Sequence, residues 1–352
     1  MNIDPQKLDA IVNTAIADIS AGYGGVMISL GYKLGLYRAM EGAGPLSAAE
    51  VARRSECAQR YVREWLNSQV AGGYVAYHPS SETYELTAEQ AMVLADDTSP
   101  VFIPTAWQVP ASMWFDEHKA IEAFRSGKGI SWGEHDERLF CGVAAFYRNG
   151  YQDSLVQEWL PALEGVTQKL QKGARVADIG CGHGHSTVIM AKAFPASRFW
   201  GFDVHEASIE EARRIAGKEG VADRVTFATA RAVDYPREGY DLICFFDALH
   251  DMGHPDRALR HAADALAPDG TVMLVEPYAA DRVEDNINPV GRLYYSASTT
   301  ICCAHAISEN GTHGLGAQAG EARLADVARV SGLSRFRRAR QTPFNLILEA
   351  RR

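Results

Sequence analysis

Apolar residues in the second half of the chain fall into short, nearly continuous runs separated by polar segments. Such runs are expected of parallel strands that are covered by helices on both faces of a sheet. Segments with helical spacing follow several of the runs, for example Ser208 to Ala216. The pattern predicts an α/β fold with a mostly parallel sheet, and its strands are Val176–Ile179, Arg198–Asp203, Arg224–Ala230, Tyr240–Asp247 and Leu266–Pro277, followed by a terminal hairpin.

The beginning of the chain has helical rather than strand spacing. Asp4 is a favourable N-cap and Pro5 suits the first helical position. One apolar stripe then follows at helical intervals: Leu8, Ile11, Val12, Ala15, Ile16 and Ile19. A stripe of this kind has to be buried, and a second subunit is as good an explanation as the chain's own core.

Two further helices and a hairpin follow this first helix. Ser47 and Glu50 form a capping box, and a second helix runs from Gln59 to Gly72. Two short strands, Tyr74–Tyr77 and Thr83–Leu86, then flank a turn. This order resembles a winged helix, which serves either for dimerisation or for DNA recognition through its arginines, Arg53, Arg54, Arg60 and Arg63.

A glycine-rich turn follows the first strand of the second half. Asp178 ends the apolar run, and Gly180, Gly182 and Gly184 come directly after it. A strand, a glycine turn and a helix present backbone N–H groups to a ligand at the carboxyl edge of a sheet. His185 occupies the sixth position of the dinucleotide fingerprint, where glycine is required, so an NAD-dependent oxidoreductase is disfavoured.

The order and spacing of these motifs resemble class I S-adenosylmethionine-dependent methyltransferases. Over its whole length the chain is similar to bacterial small-molecule methyltransferases and to the caffeate and acetylserotonin O-methyltransferase type. The resemblance implies a Rossmann-like domain at 171–352, a winged-helix dimerisation domain at 1–98 and a helical connector and lid at 99–170. It also implies a homodimer with S-adenosylmethionine as cofactor.

The same resemblance assigns the cofactor contacts. Asp203 ends the second strand, where an acid accepts the ribose hydroxyls. The family often has an acid that binds adenine after the third strand, but this chain has Ala230 and Arg231 there, and Asp234 is the nearest acid. The predicted cofactor-binding residues are Asp178, Gly180, Cys181, Gly182, His183, Gly184, Asp203, Val204, Ala230, Arg231, Phe246 and Asp247.

A base for the reaction is expected just past the fourth strand. His250 follows that strand, and the Leu-His-Asp segment resembles the one that supplies the general base in plant-type O-methyltransferases. The predicted orienting acid is Asp251 or a more distant acid, and His254 is the weaker alternative to His250. The alternative interpretation is structural: His250 and Asp251 cap a helix or bind the backbone.

Aromatic and polar side chains supply the predicted acceptor contacts. Trp114, Phe146 and Tyr147 come from the aromatic connector, where packing in the core is the alternative role. Asn288, Arg292 and Tyr295 follow the fifth strand and bind either a polar acceptor or the loop itself. We expect no metal site, because no carboxylate cluster accompanies His183 and His185 in the sequence.

Composition narrows the class of protein. The chain has 352 residues and a net charge of −9, which makes a nucleic-acid or membrane-surface partner unlikely. No apolar run is expected to reach the length of a membrane span, and six cysteines without framework spacing predict a cytoplasmic protein. The sequence predicts methyl transfer to a small-molecule hydroxyl. The alternatives are an N, S or C acceptor, or a transcriptional regulator that binds S-adenosylmethionine as an effector.

Overall fold

The computed structural model describes residues 3–311 and 314–352. The chain divides into two units, of which the first ends at Ala111 and the second begins at Ser112. Most of the segment predicted as a connector, 99–170, therefore belongs to the second unit. The first unit contains α1 (Pro5–Lys33), α2 (Leu36–Met40), α3 (Ala48–Arg54), α4 (Gln59–Ala71), β1 (Ala76–His78), β2 (Thr83–Glu85) and α5 (Ala88–Leu94).

The winged helix is present in the first unit. Ser47 and Glu50 form the predicted capping box at the start of α3, because each side chain accepts the other's backbone N–H. The strands β1 and β2 pair in antiparallel register, with Tyr77 opposite Tyr84. A buried cluster that includes Leu36, Val51 and Leu66 joins the helices. The order of two helices and a hairpin is therefore confirmed.

Helix α1 exposes its apolar stripe within the first unit. Ile11 is 67% exposed and Ile16 is 56% exposed, whereas the buried positions of α1 lie further along, at Gly25, Ile28 and Gly31. The helix is long and apolar enough to cross a membrane by length and composition, a test that buried core helices and amino-terminal signals also pass. The expectation that no run reaches that length was wrong, because the helix continues past the stripe to Lys33.

The second unit places its helices around one large sheet. Its strands are β3 (Arg175–Ile179), β4 (Arg198–Asp203), β5 (Val225–Thr229), β6 (Tyr240–Phe246), β7 (Leu266–Pro277), β8 (Arg335–Gln341) and β9 (Asn345–Arg351). Its helices are α6 (Gln108–Phe115, which begins before the boundary), α7 (Glu117–Ser126), α8 (Glu137–Ser154), α9 (Leu160–Ala162), α10 (Val166–Lys172), α11 (His185–Ala193), α12 (Glu206–Lys218), α13 (Pro255–Ala265), α14 (Pro289–Thr300), α15 (Cys302–Ser308) and α16 (Glu321–Val330). A single π-helical turn, Leu155–Trp159, joins α8 to α9.

The seven strands lie in the order β5-β4-β3-β6-β7-β9-β8. The first five of them are parallel, and the carboxyl-terminal hairpin adds β9 and β8 in antiparallel orientation. The strand order reverses between β3 and β6, because β4 and β5 extend to one side and β7 to the other. In open α/β sheets the ligand crevice lies at such a reversal, outside the carboxyl ends of the strands.

Strand β6 shows how the sheet is buried on both faces. Leu242, Cys244 and Phe246 belong to one hydrophobic cluster, and Ile243 and Phe245 belong to the other. Successive side chains of a strand point to opposite faces, so a continuous apolar run fills two cores at once. The predicted α/β fold with helices on both faces is confirmed.

Strand β8 forms one edge of the sheet and carries four arginines: Arg335, Arg337, Arg338 and Arg340. Three of these guanidinium groups make ion pairs with acids on neighbouring segments, namely Glu349, Glu321 and Glu158. The strand is otherwise mostly exposed.

Candidate active site

The glycine turn lies against the end of β6. Gly180 has a φ of +73°, and a Cβ there would lie 2.6 Å from the Cβ of Ala248. Gly184 has a φ of +72°, and a Cβ there would lie 2.5 Å from the ring of Phe227. Only glycine satisfies both the left-handed backbone and the close contact. The loop therefore forms an open cradle at the crevice between β3 and β6.

Asp203 holds the cradle in place from the end of β4. Its Oδ2 accepts the N–H of Gly182 at 2.8 Å, and its Oδ1 accepts the N–H of His205 at 2.9 Å. The side chain is mostly buried, while the adjacent Val204 is exposed. Each carboxylate oxygen has a second lone pair, which leaves acceptors for a pair of vicinal hydroxyls such as those of a ribose.

Asp178 lies fully buried under the cradle. Its Oδ2 accepts hydrogen bonds from the hydroxyls of Ser186, at 2.7 Å, and Thr187, at 2.6 Å. Its Oδ1 is buried and has no hydrogen-bond donor among the described residues. Burial raises the pKa of Asp178 to about 6, against the two hydroxyls, which lower it. An orphaned acceptor at this point fits a ligand that brings its own donor, such as an ammonium group.

The two histidines of the loop are neutral groups at pH 7. Burial lowers the pKa of His183, and it lowers the pKa of His185 to about 4. Cys181 is buried between these loop residues and the sheet, and burial raises the pKa of its thiol. The loop therefore contributes shape and backbone donors to the site rather than charge.

The end of β5 contributes few contacts to the site. Ala230 donates its N–H to the carbonyl of Asp203 at 2.9 Å, so it supports the ribose-binding turn. Arg231 and Asp234 are both largely exposed and lie 3.9 Å apart at their charged atoms. Which of them contacts an adenine stays a prediction.

His250 lies in a 3-10 turn, Leu249–Asp251, three residues after Asp247. It is 5% exposed, and its Nδ1 lies 2.6 Å from Oε2 of Glu276. The other oxygen of Glu276 accepts the N–H of Leu249 at 3.2 Å. Glu276 therefore orients the imidazole ring, and it is a more distant acid of the kind that the sequence analysis gave as the alternative to Asp251.

Asp251 lies on the other side of the same ring. Its Oδ1 is 3.2 Å from Nε2 of His250. Burial by itself would lower the pKa of His250, but the carboxylates of Asp251 and Glu276 raise it well above its ordinary value. The side chains of Asp251, His250 and Cys302 have ligand atoms within 4.8 Å of one another, a spacing at which a metal ion could bind. The absence of a metal site stays a prediction. Sequence reasoning could not bring these three residues together, because Cys302 is far from His250 along the chain.

Asp247 sits between the cradle and this cluster. Its backbone has a φ of +49°, which is uncommon for a residue other than glycine. Its Oδ2 accepts the hydroxyl of Tyr151 at 3.1 Å, and its Oδ1 accepts the amide of Asn345 at 2.8 Å. Tyr147 also donates to this carboxyl. Burial and the charge of Glu276 raise the pKa of Asp247 to about 8.

The predicted acceptor residues separate into two groups. Phe146 and Tyr147 lie together in α8, with ring centroids 5.0 Å apart, and Tyr147 reaches Asp247. Trp114, in contrast, is 74% exposed on α6. Tyr147 therefore lies next to Asp247, and its contact with an acceptor stays a prediction, while the exposure of Trp114 argues against a place in an enclosed pocket.

The polar residues of α14 have mostly structural contacts. Asn288 caps the helix, because its Oδ1 accepts the N–H of Gly291 at 2.8 Å, which is a local contact of the kind that the sequence analysis gave as the alternative to acceptor binding. Arg292 and Tyr295 are exposed on the same helix. The neighbouring Tyr294 is buried instead and donates to the carbonyl of Phe344 at 2.9 Å. Helical spacing turns Tyr294 inward and Tyr295 outward, and the predicted acceptor contact of Tyr295 stays a prediction.

Comparisons with known proteins agree with this geometry. Residues 170–322 match a methyltransferase domain family, and residues 22–96 match the Rv2258c-like winged helix-turn-helix domain family. The chain is 38% identical over 166 residues to a 27-O-demethylrifamycin SV methyltransferase of Amycolatopsis mediterranei, a match that covers 44% of this chain. The match spans 56% of that relative, so the chain spans about half the length of such curated relatives.

Solved structures match over nearly the whole chain. A mitomycin 7-O-methyltransferase superposes with a TM-score of 0.70 at 18% identity, covering 99% of this chain and 100% of that one. Human N-acetylserotonin methyltransferase in complex with S-adenosylmethionine superposes with a TM-score of 0.66 at 17% identity, covering 97% of each chain. At this identity the likeness establishes the fold. The chain thus joins a segment that matches the winged helix-turn-helix domain family to a Rossmann-like domain that matches the methyltransferase domain family.

Proposed function

We propose that the chain transfers the methyl group of S-adenosylmethionine to a hydroxyl of a small molecule. The observation that carries the proposal is the buried pair of His250 and Glu276 beside the glycine cradle. The cofactor supplies a methyl group that is already activated on a sulfonium. A hydroxyl acceptor still has to lose its proton, so the chain needs a base at this edge of the sheet.

His250 has the contacts expected of an oriented base. Nδ1 is paired with Glu276, so Nε2, on the side of Asp251, is the ring atom that gains and loses the proton. The two carboxylates raise the pKa of His250 and so favour the protonated ring. A positive charge bound nearby lowers the pKa of a histidine, so a bound cation favours loss of that proton and leaves Nε2 free to accept one from the hydroxyl.

The glycine loop, Asp203 and Asp178 have the proposed role of binding the cofactor. The loop and Asp203 fix the nucleoside part, and the orphaned oxygen of Asp178 fits the amino group of the methionine part. Tyr147, which bonds to Asp247, and the adjacent ring of Phe146 are our candidates for covering the acceptor from α8 and excluding water. Their role would be to keep the acceptor in line with the methyl group, which is the main requirement of this transfer.

The winged helix fits a dimerisation module better than a DNA-binding one. The net charge of −9 opposes binding to phosphates, and Arg60 on α4 is paired with Glu64 at 2.6 Å. We infer a homodimer in which the exposed stripe of α1 is covered by the partner chain. A cytoplasmic location stays a prediction, supported by six free cysteines.

The test is an acceptor screen with a matched control. Purified protein is incubated with S-adenosylmethionine and panels of phenols, alcohols, carboxylic acids, amines and thiols, and S-adenosylhomocysteine is quantified. We expect turnover with a hydroxyl compound, with the methylated atom established by NMR. Turnover with amines or thiols alone would refute the hydroxyl assignment. Cofactor binding without any turnover, together with specific salt-sensitive DNA binding, would favour a regulator.

Comparison of the variants His250→Ala and Asp241→Asn tests whether turnover in the screen depends on the proposed active site. Asp241 lies at the opposite end of β6, where its carboxylate accepts the N–H of Arg175 at 2.9 Å. We expect the first variant to lose turnover and the second to keep it. Equal turnover in both variants would remove His250 from the mechanism.

A further inference from the structure

We propose that Asp247, together with the phenol groups of Tyr147 and Tyr151, forms a cation-recognition site that selects the charged sulfonium cofactor over its neutral demethylated product. The inference rests on the proposed function, because it assumes that a sulfonium cofactor enters the crevice. It assigns to Asp247 a role in distinguishing two ligands that differ by one methyl group and one charge.

The position of Asp247 follows from the topology of the sheet. The crevice lies between β3 and β6, where the strand order reverses. Gly180 forms the β3 side, and it lies against Ala248, the residue after Asp247. Asp203 holds the nucleoside end beyond β3, on β4. The ligand therefore extends from Asp203 across the cradle toward Asp247, which places its reactive end at the β6 side.

The backbone at Asp247 is held in a costly conformation. Its φ of +49° costs free energy for a residue that carries a Cβ. The N–H of Asp247 donates to the carbonyl of Val275 at 2.7 Å, so the strain is imposed by the neighbouring strand β7. This turn directs the carboxyl across the sheet edge to meet α8 and β9 rather than outward.

Among Asp247 and the two tyrosines bonded to it, Asp247 is the group that becomes charged as the pH passes its pKa of about 8. Burial raises the pKa values of Tyr147 and Tyr151 well above the ordinary value, so both phenols stay protonated and donate to the carboxyl. Their rings are stacked with centroids 5.8 Å apart and planes 11° apart. A carboxylate next to aromatic rings is the arrangement that attracts onium cations.

Four further groups from other elements face the same carboxyl. Glu276 on β7 opposes its ionisation and His250 favours it. Asn345 on β9 donates to Oδ1. Tyr294 on α14 interacts with it electrostatically. The hydrogen-bond donors therefore compensate for the burial of the carboxyl, and the negative charge of Glu276 favours the binding of a further positive charge beside it.

Methyl transfer removes the charge that this site recognises. The bond between sulfur and the methyl carbon breaks, its electron pair stays on sulfur, and the acceptor oxygen forms the new bond to carbon. The acceptor's proton passes to His250. The sulfonium has then become a neutral sulfide, so Asp247 no longer holds a counter-charge. The site thus favours the donor before the reaction and release of the product after it.

Calorimetry on three ligands tests the proposal without any acceptor. The variant is Asp247→Asn, and the control is Asp241→Asn at the other end of the same strand. The ligands are S-adenosylmethionine, S-adenosylhomocysteine and sinefungin, in which a protonated amine replaces the sulfonium methyl. We expect Asp247→Asn to weaken both cations about 10-fold or more and to change the affinity for S-adenosylhomocysteine less than about 3-fold. Asp241→Asn should change none of the three affinities.

Two results contradict the inference in different ways. Equal weakening of all three ligands by Asp247→Asn would show that the residue only shapes the site. Failure of wild-type protein to bind any of the three would instead reject the proposed function.

A pH series keeps the inference testable if Asp247→Asn folds poorly. The ratio of wild-type affinities, cation over sulfide, should increase from pH 6 to pH 9, because the carboxyl with a pKa of about 8 ionises in that range. Tyr151→Phe removes one donor that favours the ionised form, so the increase should shift to higher pH. A flat ratio would overturn the proposal.

Discussion

Replacing Asp203 by alanine separates the two tasks of this carboxylate. The side chain accepts the N–H groups of Gly182 and His205, at 2.8 and 2.9 Å, and it has lone pairs left for two ribose hydroxyls. Asp203→Ala therefore removes the ribose contacts and also frees the loop. Asp203→Asn keeps one carbonyl oxygen, which can still accept from the loop, while half of the ribose contact is lost.

The size of the effect follows from the number of hydrogen bonds. A hydrogen bond to a charged group contributes about 1.5–3 kcal/mol, and the partial access of solvent to Asp203 places the pair at about 2–4 kcal/mol. This corresponds to an affinity for S-adenosylhomocysteine that is lower by about 30-fold to 1,000-fold. We expect Asp203→Asn to fall between the wild-type protein and Asp203→Ala.

Isothermal calorimetry with S-adenosylhomocysteine measures these affinities, and the melting temperature shows how much stability is lost when the loop is freed. The control is Asp223→Ala, whose carboxylate is 68% exposed at the other end of the β4–β5 pair. An unchanged affinity in Asp203→Ala, at a melting temperature close to wild type, would refute the assignment of the ribose to this residue.

Three further predictions concern the base, the assembly and the loop. His250→Ala should lower kcat by about 10²–10⁴ at nearly unchanged cofactor affinity. The wild-type kcat should increase with pH, because the raised pKa of His250 favours the protonated ring, which cannot act as a base. A lower melting temperature with turnover within a few-fold of wild type would mean a structural role. Replacing Ile11 and Ile16 together by aspartate should give monomers or insoluble protein, and light scattering that shows an unaltered oligomer would reject that interface. Gly184→Ala should cost about 1–3 kcal/mol of stability, because the new Cβ meets Phe227 and the backbone is left-handed; an unchanged melting temperature contradicts this.

The sequence predicted the sheet well because its signals are local. Each strand is one apolar run, and the glycine turn is adjacent to the acid that precedes it, so Asp178, the loop and Asp203 could be placed without knowing the fold. The winged helix could also be predicted, from a capping box and two short strands. These elements need only neighbouring residues for their recognition.

The contacts of the reactive edge could not be predicted in the same way. Glu276 reaches His250 across 26 positions, and Tyr151 and Asn345 reach Asp247 across 96 and 98 positions. Such pairs depend on which strands become neighbours, so the sequence could name Asp251 or a more distant acid as the partner of His250 but could not identify Glu276. The burial of Tyr294 likewise depends on the rotation of α14 about its axis, which the sequence of a short helix does not reveal.

The arginines of β8 limit how copies of this chain can associate. An edge strand offers unpaired backbone groups to another strand, and a second edge of the same kind would bring four more guanidinium groups against the first four. Pairing at that edge would also disturb the ion pairs that three of these arginines make with acids of their own chain. Growth of the sheet from chain to chain is therefore disfavoured at this edge. In the homodimer that we propose, a twofold contact between α1 helices closes on itself, so the apolar helix can serve assembly without open-ended fibres.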